Sequence, residues 1–405
     1  MKSGDPQSQG PRPAPTRTRY DYMDSLRATL IIGGVLFHAA LPYGASGHWN
    51  VREAGGSAAF DYLAGALYSF RMPTFFFVAG FFCALTFAAR RASANLRRRL
   101  TVFGLPLLSF LVIVQPLQYA LRWRQEHAGA AADLGSTGFW SDYLSSGAYV
   151  SHLWFLFNLI AYYVAVHLAL SLLERREAVR RRCTRWIQAV PAWTLRSKTL
   201  LALLCALIVL PVYDLVARFA PRIPGYGFED LVLYLPFFLA GLLCYHSELA
   251  LTALSEVRVE DVILLILGAV LLLSGRIAPQ LAQELLKGWL YYQAAWTIGM
   301  LLVALFRRWF DLANPAVRAV SDASYTIYLF HHIVVIVLAT LLLGLAVPGG
   351  YWSKYVLVVV ATTLLTFALH HYLIRRSSFL SWAFNGRAPS GGATRPTGTR
   401  PGGRR

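Results

Sequence analysis

Apolar residues in this chain fall in long uninterrupted runs, not in the two-residue alternation of a strand or the single apolar stripe of a soluble helix. A run of about 18 residues crosses roughly 30 Å of hydrocarbon at about 1.5 Å per residue. Stretches such as LLALLCALIVLPVY and VILLILGAVLLL are apolar on every side. Membrane-spanning strands alternate apolar and polar positions, so the pattern excludes a β-barrel and predicts helices. Ten spans are expected, near Leu26–Gly44, Phe60–Ala88, Val102–Leu121, Tyr149–Leu172, Thr199–Val216, Asp230–Tyr245, Val262–Leu273, Leu285–Phe306, Ser324–Leu345 and Tyr351–Leu373. Those starting at Asp230 and Val262 are the shortest. The fold class expected is all-α, a polytopic integral membrane bundle of about ten transmembrane helices with both termini cytoplasmic.

Composition agrees: 56% of the 405 residues are hydrophobic and 14% charged, against roughly half and roughly a quarter in soluble domains. The formal charge of +18 could point to nucleic acid, but the basic residues cluster between the apolar runs. With the N-terminus inside, 28 of them fall in cytoplasmic segments and 8 in outer loops. Lys and Arg resist translocation, so this asymmetry is a topology signal and nucleic acid is excluded as a partner. Three of the four cysteines (Cys83, Cys205, Cys244) lie in apolar segments and none shows metal-site spacing, so they read as buried small hydrophobes. The stretch before Tyr20 is rich in Pro, Arg, Ser and Gln, and the stretch after Ala388 in Gly, Pro, Thr and Arg. Neither can bury a core. The expected organisation is a disordered tail over 1–19, a transmembrane domain over 20–375 and a disordered basic tail over 376–405. No apolar leader precedes the first span, no soluble domain is visible between spans, and no inverted repeat of the transporter kind stands out. Any chemistry therefore belongs to the bundle.

Charged and polar side chains inside a membrane cost several kcal/mol, so each is a functional candidate. In the first span, YDYMDSLRATLIIGGVLFHAALPYG, Asp24, Arg27 and His38 share one side of a helix: at about 100° per residue Arg27 and His38 are about 20° apart in projection. By rise, His38 sits roughly 16 Å from Arg27. The bland reading has Arg27 snorkelling to lipid phosphates and His38 hydrogen-bonded within the bundle. In the second span, Arg71 in LYSFRMPTFFFVAGFF lies at a depth similar to His38, beside Pro73, which should distort the helix and free backbone groups. Arg71 is expected to line a polar pocket; the alternative is pairing with an acidic residue for packing. The fourth span brings His152, Trp154 and Asn158, and the ninth brings Tyr325, Tyr328, His331 and His332. Adjacent histidines diverge by about 100°, so one of the last pair should face a pocket. His370 and His371 read as interfacial. No His-Glu-x-x-His, Walker loop, Gly-x-Ser-x-Gly elbow or dinucleotide fingerprint occurs in a suitable context, so no metal or bound cofactor is expected.

Four segments in series resemble the membrane-bound acyltransferase family 3, and within it the branch of the glucan biosynthesis protein C, a succinyltransferase of periplasmic glucans. They are Asp24-x2-Arg27-x10-His38, FRMPTFFFVAGFF (Phe70–Phe82), HLWFL (His152–Leu156) and SYTIYLFHH (Ser324–His332). The resemblance implies transfer of an acyl group, acetyl or succinyl, from cytoplasmic acyl-CoA to a hydroxyl of an extracytoplasmic carbohydrate or glycolipid acceptor, in the bacterial inner membrane and for the cell envelope. It also implies that Arg27 and His38 are functional. Many members carry Ser-Gly-Phe where this chain has Ala79-Gly80-Phe81, so no serine role carries over. The residues fit this chemistry: an imidazole such as His38 can act as general base near neutral pH. Arg27 can hold a CoA phosphate or the donor carbonyl, with Asp24 orienting it. Arg71, His152, Trp154, Asn158, Tyr325, His331 and His332 are the expected substrate-binding groups. The competing class is a transporter or exporter of an anionic or sugar solute, using the same groups without covalent chemistry. Against it stand the lack of paired broken helices and the presence of all four segments.

Overall fold

The computed structural model describes residues 20–47, 49–88, 92–127, 133–174, 182, 192–274, 280–311 and 314–387. The expected tail 1–19, Cys183 and most of the basic connection between the fourth and fifth spans lie outside the described residues. The chain forms α1 (Asp21–Ala40), α2 (Ala58–Ala88), α3 (Ala92–Ser109), α4 (Gln115–Glu126), α5 (Thr137–Ser145), α6 (Trp154–Glu174), α7 (Ala192–Arg196), α8 (Lys198–Phe219), α9 (Glu229–His246), α10 (Glu248–Ser255), α11 (Val259–Leu273), α12 (Gln280–Trp309), α13 (Pro315–Leu342), α14 (Gly350–Ala368) and α15 (Ser378–Asn385). Among the described residues nine helical segments are long and apolar enough to cross a membrane, and no strand is present. The protein is an all-α multi-pass membrane protein. The remaining expected span, near Val262, is α11. With 15 residues it reaches only about 22 Å by rise, yet Ile263, Ile266, Leu267, Val270 and Leu273 are exposed on it, an apolar surface that needs lipid or protein cover.

Two π-helical turns widen long helices where the sequence forces them. Phe110–Val114 joins α3 to α4: the Gln115 N–H reaches Phe110 O instead of the usual partner one residue nearer, and Pro116, lacking an N–H, follows directly. The second, Leu369–Ile374, extends α14. Pro73 does not break α2, which runs unbroken through it; the Thr74 hydroxyl bonds the Phe70 carbonyl at 2.7 Å. The expected distortion therefore does not end the helix. Residues 378–385, assigned to the C-terminal tail on composition, instead form α15. Its SFLSWAF segment buries Ala383 and Phe384, and Gly386 closes onto Thr101 and Val102, where any β-carbon would strike backbone.

α2 is the centre of the bundle, packed between α1, α9 and α12. Its crossing with α9 brings the two backbones close together. A β-carbon on Gly80 would lie 2.0 Å from Phe238 O, and one on Gly241 would lie 2.0 Å from Phe77 O. Without hydrophobic drive between helices in lipid, such backbone approach at small residues is what brings helices together. Gly80 of the Ala79-Gly80-Phe81 triplet is thus fixed by packing, and Ala79 is a partly buried apolar contact in the same core.

Candidate active site

α1, α2, α6 and α13 enclose a cavity of about 70 Å³ lined by Gly34, His38, Tyr68, Arg71, His152, Trp154, Tyr328 and His331 together with Leu30, Ile31, Phe37, Met72, Phe75 and Phe155. With about 10–15 Å³ of such space needed to admit one water, it has room for several waters or a small acyl group. Its walls come from four separated stretches of sequence, the same four that carry the family resemblance.

Gly33 and Gly34 let the Arg71 side chain cross the face of α1. A β-carbon on Gly34 would lie 2.9 Å from Arg71 Nη1, and one on Gly33 would lie 3.4 Å from Arg71 Cδ. The Arg71 guanidinium rests 5.0 Å from the centre of the Phe37 ring. Its Nε is buried without a hydrogen-bond partner, and none of the described carboxylates forms an ion pair with it. The packing alternative read from the sequence, an acidic partner for Arg71, is not what the described residues provide. An aromatic face and an uncompensated guanidinium leave the fork of N–H donors for an oxygen-bearing group in the cavity.

Four imidazoles crowd the end of the cavity away from Arg27. The His38 ring centre lies 5.1 Å from that of His331 and 4.8 Å from that of His332, and His152 stacks on His332 at 4.7 Å. Each ring except His38 is fixed by a hydrogen bond. His331 Nδ1 donates to Tyr328 O at 2.7 Å and Ile327 O at 3.0 Å. His152 Nε2 donates to Leu329 O at 3.1 Å, and His332 Nδ1 to Gln118 Oε1 at 2.9 Å. Carbonyl oxygens only accept, so these bonds fix the tautomers. His38 Nδ1, His152 Nδ1 and His331 Nε2 are buried without partners. Among the described residues no group of His, Cys, Asp or Glu is arranged to hold a metal ion.

His152 is positioned by a strained turn. Ser151, preceding it, has φ +39°, a left-handed conformation uncommon for a residue with a side chain. Gln118 Nε2 bonds Ser151 Oγ at 3.2 Å and Gln115 Nε2 bonds Tyr149 O at 3.0 Å, so the start of α4 clamps the turn. Over the imidazoles lies Trp49, in the described part of the 44–57 segment. The Trp49 ring stacks on His38 at 6.3 Å and meets His332 edge-on at 5.3 Å. That segment is tied to the bundle by the buried Glu53–Lys354 ion pair at 2.9 Å, by Glu53 Oε1 accepting from the Gly344 N–H, and by Tyr351 donating to Ala54 O.

The remaining expected residues stand elsewhere. Arg27 bonds Asp24 Oδ1 at 3.1 Å and the Ser321 hydroxyl at 2.9 Å, over the Phe82 ring at 5.2 Å. It lies one turn below Leu30, the lowest lining residue of α1, so Asp24 and Arg27 do not line the cavity. Asn158 is buried off the cavity, accepting from Tyr226 OH at 2.6 Å. Tyr325 donates to Val102 O in the contact with α3, and His332 lies behind His152. His370, read as interfacial, is buried against the Thr326 hydroxyl at 2.8 Å. Tyr68, Trp49, Gln118 and the Gly33-Gly34 pair were not legible as site residues, although Tyr68 precedes Arg71 by three and Gly34 precedes His38 by four, spacings that share a helix face.

Comparison with known proteins follows the same lines. The model of a family described as an acyltransferase domain matches residues 20–371. Glucans biosynthesis protein C of Escherichia coli K12 is 29% identical over 149 residues, 36% of this chain and 38% of that protein, and the same protein from the O1:K1 and O139:H28 strains gives the same figures. The chain thus matches little more than a third of the length of those relatives. No solved structure matches it. Since the family match runs from the head of α1 into the last long helix and takes in every wall of the cavity, the chain belongs to the membrane-bound acyltransferase family 3.

Proposed function

We propose that this acyltransferase takes an acetyl or succinyl group from cytoplasmic acyl-CoA and moves it to a hydroxyl of an extracytoplasmic carbohydrate or glycolipid, in the bacterial inner membrane. The observation that carries the reading is the guanidinium of Arg71, without a carboxylate partner, facing the His38 and His331 imidazoles across a cavity of acyl size. In the reaction the acceptor oxygen attacks the thioester carbonyl carbon. The new C–O bond forms, the C–S bond breaks, and the hydroxyl proton passes through an imidazole to the departing thiolate. Arg71 stabilises the negative charge that develops on the carbonyl oxygen, or holds the free carboxylate of a succinyl donor.

Arg27 sits about 16 Å and Asp24 about 21 Å from His38 by helix rise, which suits a donor whose phosphates stay at one membrane face while its thioester reaches the imidazoles. The part that the similar proteins take in glucan biosynthesis supports a glucan-type acceptor. The test uses inverted inner-membrane vesicles supplied with radiolabelled acetyl-CoA or succinyl-CoA, comparing the wild type with His38→Ala at matched expression. Label on a glycan or lipid fraction with the wild type alone is the expected result. Equal labelling from both proteins, or no labelling with either donor while a solute flux depends on His38, overturns the reading in favour of transport.

A further inference from the structure

We propose that His331, not His38, is the catalytic residue that takes the proton from the acceptor hydroxyl; this deepens the acyl-transfer reading and rests on it. The sequence favours His38, which lies in the first span with Arg27. The hydrogen bonds favour His331. Its Nδ1 lies 2.7 Å from Tyr328 O and 3.0 Å from Ile327 O, two acceptors that oblige this nitrogen to carry hydrogen. Nε2 must then present its lone pair. That atom is buried, has no hydrogen-bond partner, and lies on the cavity side of α13, 3.9 Å from where a β-carbon on Gly34 would stand.

This is the arrangement of a base held ready. One ring nitrogen is pinned by fixed acceptors that would also stabilise the imidazolium formed, and the other is bare and aimed at the reacting group. His38 lacks the first half. Its Nδ1 is buried and unpartnered, and its ring is held by aromatic contact with Phe37 and Trp49. With no bond that fixes its tautomer, His38 can turn an N–H toward the acyl carbonyl beside Arg71. His152 has its bare nitrogen on Nδ1 but is stacked flat on His332. Of the three bare nitrogens, His331 Nε2 combines a fixed tautomer with an unstacked ring. The step balances: the hydroxyl oxygen bonds to the carbonyl carbon, the hydroxyl proton moves to His331 Nε2, the C–S bond breaks, and the proton is handed to the thiolate sulfur.

Wild-type transfer is first established with labelled acyl-CoA in vesicles; its absence overturns the proposed function, independently of which histidine acts. Given transfer, His331→Ala is expected to lose about 10²- to 10⁴-fold in turnover, the range for a general base, with the donor KM within threefold of wild type. Added imidazole should restore turnover saturably, and pyrrole, which has the ring but no basic nitrogen, should not. His331→Asn keeps an N–H for the Tyr328 carbonyl while removing Nε2, and should be as inactive as His331→Ala. Retention of more than a tenth of turnover by either variant overturns the assignment, as does equal rescue by pyrrole, or rescue by imidazole of His38→Ala but not of His331→Ala. If neither His331 variant is recovered as monodisperse protein, the residue is structural and the proposal falls.

Discussion

Gly34 offers a perturbation whose size can be worked from the structure. A β-carbon there lies 2.9 Å from Arg71 Nη1, whereas non-bonded heavy atoms rest at about 3.5 Å. In Gly34→Ala the guanidinium must therefore retreat by about 0.6 Å. The obstructing atom is the far end of a flexible side chain, so the fold yields easily. Alanine also gains roughly 0.5–1 kcal/mol over glycine in a helix interior. The neighbouring Gly33→Ala supplies the control, since its β-carbon would lie 3.4 Å from Arg71 Cδ, close to ordinary contact. Misplacing a reacting group by about 1 Å can cost about 10²-fold, so 0.6 Å is expected to cost about tenfold. The assay is the initial rate of label transfer from radiolabelled acyl-CoA in vesicles with matched protein, alongside thermal unfolding of the purified variants. Gly34→Ala should transfer about tenfold more slowly than wild type while unfolding at the same or a higher temperature, and Gly33→Ala should match wild type in both. Rates for the two variants within twofold of each other would refute the idea that Gly34 sets the position of Arg71.

Arg71→Lys keeps the charge but loses the planar fork and the contact over Phe37; turnover with either donor is expected to drop at least tenfold, and an unchanged rate in the same labelling assay would contradict its role. Gly80→Ala drives a methyl against a main-chain oxygen at 2.0 Å, an overpacking that cannot be relieved by a rotamer; a loss of about 1–3 kcal/mol should appear as a lower unfolding temperature in detergent, and no change would mean that α2 and α9 do not cross there. Glu53→Gln leaves the buried Lys354 ammonium without its counter-charge, a cost of about 3–5 kcal/mol for breaking a buried pair; the 44–57 segment should be cut faster by protease, and equal cutting rates would show that the pair does not hold that segment.

The apolar runs by themselves determined the class of protein and the approximate positions of the nine long helices found among the described residues, because length and hydropathy are properties of each segment alone; the tenth expected span is the 15-residue α11. The one-sidedness of Asp24, Arg27 and His38 was equally readable, since helical periodicity is local. Tertiary structure decided which of these groups meet. Arg27 and His38 share a face of α1, yet only His38 reaches the cavity, because the cavity is closed by Arg71 of α2, which crosses α1 at Gly33 and Gly34, by His152 in the turn before α6, and by His331 of α13. The tautomers of His152 and His332, the strained Ser151 turn clamped by two glutamines of α4, and the Trp49 cover over His332 depend on residues tens to hundreds of positions away, whereas His331 is pinned by carbonyls of its own helix. α15 escaped the composition reading because a short apolar segment at the head of a Gly- and Pro-rich stretch folds only when a groove is there to receive it. Spacing along one helix fixes direction around its axis; only packing fixes which direction holds a partner, and the chemistry of this site is set by those partners.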